Sequence, residues 1–104
     1  MKYMICWYER PHGSAADYES VQKRVLAVFG AWKPPEGFRV ERFLIRVGDW
    51  GGFALVECDD AATVHQFCTT FPMFEFKVHP VIEVQDVVRV EMAAMEWRDG
   101  LGAR

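Results

Sequence analysis

Residues 38–58 read FRVERFLIRVGDWGGFALVEC, and their neighbours on either side give this stretch its meaning. Phe38 to Val47 is rich in β-branched and aromatic residues, Phe53 to Cys58 is a short, mostly apolar run, and five residues dense in glycine separate the two. That pattern predicts a β-hairpin. The Gly48–Gly52 loop joins two strands and leads into no helix, so it is not a phosphate cradle. Upstream, Val21, Val25, Val28, Phe29 and Trp32 recur on one helical face, while Glu19, Gln22 and Lys23 lie off it. Ser14 with Asp17 marks the start of that helix, and Lys33-Pro34-Pro35-Glu36-Gly37 ends it. Downstream, Asp59 or Asp60 caps a second helix with Ala61, Val64, Phe67, Cys68 and Phe71 on one face, closed by Pro72.

Outside the helices lie two further strands. Lys2 to Tyr8 (KYMICWY) is the first, followed by a turn at Pro11, Gly13 and Ser14. Phe74 to Val84 (FEFKVHPVIEV) is the fourth. Pro80 lacks the N–H a central strand must donate, which puts that strand at an edge or bends it there. Val84, Val88, Met92 and Met95 then keep helical spacing, predicting a terminal helix over about 85–99 that frays at Gly100 and Gly102.

Strand, helix, strand, strand, helix, strand, helix is the order of an α+β ferredoxin-like βαββαβ sandwich with an extra C-terminal helix. Right-handed crossovers place the first and third strands side by side, with the second and fourth outside. Both inner helices then cover one face of the sheet. The other face keeps large apolar groups: Phe53 and Leu55, with either Tyr3, Ile5 and Trp7 or Met4, Cys6 and Tyr8. An uncovered apolar face beside two edge strands is an association hazard. The expected remedy is a homodimer that closes two such faces into a dimeric α/β barrel.

Composition bounds the rest. The chain has 104 residues, read as one domain over 1–104, with 51% apolar and 26% charged residues, an ordinary globular balance. Twelve basic against fifteen acidic side chains leave a formal charge of -3 and no basic run, which excludes nucleic acid and anionic membranes as partners. Three widely spaced cysteines without a C-x-x-C pair, no signal peptide and no run near ~20 apolar residues point to a cytoplasmic protein.

The ordered set MKYMICWYERP, KPPEGF, GGFALVECDD and F-K-V-H-P-V, over roughly residues 1 to 85, resembles the small bacterial proteins grouped as domain of unknown function 3303. The resemblance implies the dimeric α/β-barrel superfamily, whose members include cofactor-independent monooxygenases, cyclases, isomerases and proteins without known chemistry. Fold analogy does not choose among them. Relatives often carry an aromatic followed by His in the second strand, where this chain has Leu44-Ile45, and Thr is common at the position of His79.

Among titratable residues His79 leads. Strand alternation separates Phe74, Phe76 and Val78 from Glu75, Lys77 and His79, so packing the first set on the helices aims the second into the barrel. A nearby Lys77 ammonium keeps His79 neutral, which suits a general base; the structural alternative is a partly solvated edge stripe. Glu57 groups with Phe53 and Leu55 and needs a partner, for which Arg42 and Arg46 have matching spacing. Two strand spacings, about 10 Å, separate it from His79. Tyr3, Trp7, Tyr8, Trp32, Trp50 and Phe53 form a candidate pocket lining, although Trp32 also reads as the end of the helix stripe and Trp50 as a plug. His65 and Cys68 are three apart but lack further ligands, and Cys68 shares a core face, so no metal is expected. His12, in a loop next to the start of the first helix, reads as a solvated loop residue, with a pocket-rim acid or base as the alternative, and Cys6 as small-residue strand packing. No cofactor is implied; haem ligation by His79 or His65 has no sequence feature in its favour.

Two functions remain. One is a dimeric enzyme of oxygenase, isomerase or cyclase type, without cofactor. It would act on an aromatic or polyketide-like molecule, with His79 and Glu57 as catalytic candidates and Tyr3, Trp7, Tyr8, Trp50 and Lys77 as binding candidates. The other is a non-catalytic module for ligand binding or assembly.

Overall fold

The computed structural model describes residues 1–102. Strand β1 spans Lys2–Glu9, helix α1 Ala15–Ala31, β2 Arg39–Ile45, β3 Gly52–Glu57, α2 Ala61–Thr70, β4 Phe74–Val81 and α3 Val84–Gly102. The strands form one antiparallel sheet in the order β2-β3-β1-β4. This is the ferredoxin-like arrangement with one appended helix, and β4, which carries Pro80, lies at an edge as the missing N–H requires.

Local chemistry sets the helix starts. The Ser14 side chain accepts the amide of Asp17 at 3.2 Å, and Asp60 accepts that of Ala62 at 2.9 Å, each satisfying a donor without an intrahelical acceptor. At the far end of α1 the chain turns extended at Trp32, whose N–H still reaches the carbonyl of Val28. Asp60, not Asp59, is the cap of α2.

Alternation along the strands sorts the two faces of the sheet. Ile5 and Trp7 of β1 and Ala54 and Val56 of β3 are buried against α1 and α2, with Ile5 and Val56 fully enclosed. Val25, Val64, Phe67 and Phe71 come down from the helices to meet them. The opposite face carries Lys2, Met4, Cys6 and Tyr8, in register with Glu57, Leu55 and Phe53 on one side and with Val81, His79, Lys77 and Glu75 on the other. No helix among the described residues covers that second face. Tyr3, Ile5 and Trp7 are thus the core-facing set of β1, and Met4, Cys6 and Tyr8 the open one.

Several expected element bounds shift: β1 runs on to Glu9 and β3 moves one residue back, to Gly52–Glu57. β2 is shorter than Phe38–Val47 because Phe38 turns into the core, 5% exposed, and Arg46 bends into the hairpin loop. β4 stops at Val81, three residues early, since the carbonyl of Glu83 already accepts the amides of Asp86 and Val87 and begins α3. Gly100 and Gly102 do not fray: α3 runs through Gly102.

α3 is the outlier of the fold. None of its nineteen residues is buried. The chain measures 69 × 31 × 21 Å with a radius of gyration of 19.2 Å. A compact domain of this length has a radius near ~13 Å, so α3, about 28 Å long, stands away from the sheet-and-helix body.

Candidate functional site

A cavity of about 200 Å³ lies between the helix-facing side of the sheet and the two inner helices. Trp7, Phe43, Ile45, Phe74 and Phe76 form its floor, Val25, Leu26 and Phe29 of α1 and Phe67 and Phe71 of α2 its roof, and Trp50 and Gly51 one end. The aromatic wall is continuous: Trp7 stands 5.3 Å from Phe43, Phe43 lies 5.6 Å from Phe29, and Phe67 lies 5.6 Å from Phe71. No lining residue is titratable. Leu26, Phe29, Phe43 and Ile45, between 43% and 59% exposed, make an apolar rim.

Arg46 holds the end of the cavity in place. Its Nη2 donates to the carbonyl of Trp7 at 2.7 Å, and its Nε and Nη2 donate to the Asp49 carboxylate at 2.8 and 3.1 Å. The guanidinium lies 4.2 Å from the centre of the Tyr8 ring, a cation–π contact on the open face. Hydrogen bonding to Asp49 holds it further above its ordinary pKa. A Cβ on Gly51 would meet the Arg46 guanidinium and the Trp7 carbonyl, so only glycine lets the loop close over this anchor.

The residues singled out in the sequence divide between two sides of the sheet. Trp7 and Trp50 line the cavity, and Tyr3 packs beside the core without reaching it. Tyr8, Lys77, His79 and Glu57 are on the open face, with Phe53 among them. Lys77 reaches toward Tyr8, its Nζ 5.5 Å from the ring centre, and His79 is exposed opposite Met4.

Arg42 and Arg46 are not the partners of Glu57. The β-bulge between Val40 and Arg42 sets Arg42 opposite Leu55, and Arg46 belongs to Asp49. Glu57 Oε1 instead lies 3.3 Å from the Met1 amino group, which also meets Asp59 at 3.3 Å. Desolvation pulls that ammonium down, and the contacts with Glu57 and Asp59 outweigh it to raise its pKa. Trp32 packs on Phe38 and Phe67 as part of the core.

Cys6, Cys58 and Cys68 are all unpaired. Burial pushes the Cys68 thiol up, away from the reactive thiolate. His65 is exposed on α2, and among the described residues no three His, Cys, Asp or Glu are grouped to hold a metal.

The grouping of His12 with Glu9 and Tyr18 goes beyond what the sequence offers. His12 is not a solvated loop residue: its side chain is 16% exposed and that of Glu9 18%. His12 Nε2 lies 3.4 Å from Glu9 Oε1, and both atoms are enclosed without a well-formed hydrogen bond. The imidazole meets the Tyr18 ring edge-on at 4.7 Å, and the His12 backbone N–H donates to Tyr18 Oη at 3.3 Å. β1 continues one residue beyond Tyr8, and Glu9, two places from Trp7, falls on the helix-facing side.

Comparison with known families places the chain. The family described as a domain of unknown function (DUF3303) matches residues 1–95. The chain belongs to that family. No curated protein matches it. Membership in DUF3303 therefore fixes kinship without supplying a reaction, and the chemistry of the site has to be argued from its own residues. No helix among the described residues is long and apolar enough to cross a membrane.

Proposed function

We propose that this DUF3303 chain is a homodimeric α/β-barrel protein that binds a small aromatic molecule in the cavity between its sheet and helices. The cavity lining carries the reading: twelve residues, all apolar apart from the indole N–H groups of Trp7 and Trp50, around about 200 Å³. A dry apolar cavity of about 150 Å³ is enough for benzene, so the size class is one ring or a small fused pair. Dimerisation is supported by the uncovered sheet face and by α3, whose Val84, Met92 and Trp97 are more than half exposed. The three unpaired cysteines fit a reducing, cytoplasmic setting.

A second reading is catalytic and uses the other face. Closing two open faces into a barrel would bring Tyr8, Lys77, His79 and Glu57 into an enclosed space, as a cofactor-independent oxygenase, isomerase or cyclase would need. His79 cannot serve a ligand in the aromatic cavity, because the sheet lies between them.

Calorimetric titration with 4-nitrophenol tests the first reading. Saturable binding is expected, lost in Leu26→Trp, which fills the rim, and kept in His65→Ala on the exposed side of α2. Equal affinity in wild type and Leu26→Trp overturns the cavity reading. Binding that vanishes instead in His79→Ala favours the barrel interior.

A further inference from the structure

The cavity is apolar throughout, yet the strands place one carboxylate on its side of the sheet. Glu9 follows Tyr3, Ile5 and Trp7 in the alternation of β1 and stands in register with Phe74. Trp7 and Phe74 both line the cavity, and two residues of strand put Glu9 about 7 Å beyond Trp7. A carboxylate is costly to enclose without a donor. His12 Nε2 lies 3.4 Å from Glu9 Oε1, longer than a well-formed hydrogen bond. Loose pairs of this kind are common where catalytic groups tighten only around a bound ligand.

The imidazole is fixed from two directions. Tyr18 packs edge-on against its ring and accepts its backbone N–H, while Glu9 faces Nε2. A carboxylate beside Nε2 favours the tautomer with the proton there, which leaves the Nδ1 lone pair as the acceptor. No side-chain hydrogen bond among the described residues uses Nδ1. Carboxylate, imidazole and a hydroxyl-bearing ring thus meet around Glu9, the strand neighbour of Trp7 and Phe74 in the cavity wall; none of the three is part of that wall, whose own residues carry no ionisable group.

Resting on the cavity reading, we infer that His12, oriented by Glu9 and Tyr18, is the proton acceptor for the molecule the cavity binds. Its ligand class is then a small aromatic compound with an acidic hydroxyl, a phenol or an aromatic enol. The ring occupies the aromatic cavity and the hydroxyl faces His12. The ligand O–H bond breaks with its electron pair left on oxygen, Nδ1 takes the proton, and the resulting imidazolium is balanced by Glu9 through Nε2.

The same probe separates this step from binding, because 4-nitrophenol and its phenolate absorb at different wavelengths. Below the probe's own pKa, wild type is expected to raise the phenolate fraction of the bound probe at least severalfold over solution. His12→Gln should bind the probe and lose that increase, and Glu9→Gln should reduce it. Equal phenolate fractions in wild type and His12→Gln, with binding still abolished by Leu26→Trp, overturn the role of His12 and leave the cavity reading standing. Absence of saturable binding to wild type, or binding indifferent to Leu26→Trp, overturns both. A thermal melt of His12→Gln close to wild type shows that the loss is not one of folding.

Discussion

Arg46 connects the two faces that the sheet otherwise keeps apart. Its aliphatic stem leaves β2, its guanidinium caps the carbonyl of Trp7 beneath the cavity, and its flat face covers Tyr8 on the open side. Arg46→Gln cannot span these contacts: it loses the cation–π contact and the paired hydrogen bonds to Asp49, and it frees the Trp7 carbonyl. A charged hydrogen bond of this kind is worth about 1.5–3 kcal/mol, and a loss of roughly that size is expected in denaturant unfolding. Because the 46–51 loop also positions Trp50 and Gly51, affinity for the aromatic probe should fall with it. Unchanged stability together with unchanged affinity would show that the loop holds its shape without Arg46. At this scale the sequence was only partly legible. Trp7 and Trp50 are recognisable as pocket residues from their type and their place at strand ends. His12 is recognisable only as an alternative to a solvated loop residue, and its pairing with Glu9 is harder to read, because it depends on β1 continuing past Tyr8 and on Tyr18 arriving from α1. The matching spacing of Arg42 and Arg46 with Glu57 misled for a related reason: spacing assumes an unbroken register, and a bulge leaves no clear mark in one sequence.

Among the elements, β1 is tied at its start to β2 and to the entrance of α3 by a single cation. Lys2 Nζ lies 2.7 Å from Glu83 and 3.3 Å from Glu41, and Glu41 is also held by Arg39 at 2.9 Å. Hydrogen bonding to Glu83 and then Glu41 raises the Lys2 pKa above its ordinary 10.5. Burial pushes the Glu41 carboxyl up, but Arg39 and Lys2 outweigh it and hold it below its ordinary 4.5. The signs follow by linkage. A depressed carboxyl stabilises the fold above its unfolded pKa, and that contribution is lost as pH falls through the folded value. A raised ammonium stabilises below its unfolded pKa, and its contribution is lost as pH rises through the folded value. Lys2→Met should therefore flatten both limbs of a melting-temperature curve taken from acid to alkaline pH. The change will be small, since exposed pairs are weak and screened by salt. Parallel curves for the two proteins would mean the network adds nothing. Element identity was easier to read than element contact. Apolar periodicity, the Ser14 and Asp60 caps and the prolines after α1 and α2 are local signals, and they located all seven elements. The end of β4 was missed because Val81, Ile82 and Val84 prolong a strand-like composition through the residues where the backbone already turns into α3.

For the whole molecule the decisive feature is what the single chain leaves unpacked. Val84, Val88, Val90 and Met92 of α3 are each more than half exposed, as are Leu44 and Val47 near the β2 edge. Nothing among the described residues covers them, and a helix with such an apolar stripe gains most of its stability from packing rather than from propensity. The sheet face opposite the helices offers Met4, Cys6, Phe53 and Leu55, only half-buried, between charged ends at Lys2 and Lys77. A stable interface needs about 1,200–2,000 Å² in total, which one sheet face supplemented by a nineteen-residue helix from each copy is well placed to supply. The proposed homodimer thus assigns α3 to the partner. Light scattering on the full chain should give twice the mass of 12.0 kDa, and small-angle scattering should not fit a lone chain of 19.2 Å radius. Removing residues 84–104 should leave a folded core, because none of the core residues lies in α3, and should weaken association. A full chain at monomer mass would refute the barrel. A truncated chain that dimerises as tightly as the whole would confine the interface to the open sheet face and leave α3 without a role in it. Two titratable sets would then be divided by assembly itself: His79 and Lys77 inside a space that exists only in the dimer, and His12 and Glu9 beside a cavity each chain forms alone. Diluting the protein below its dimer dissociation constant should therefore leave binding of the aromatic probe intact.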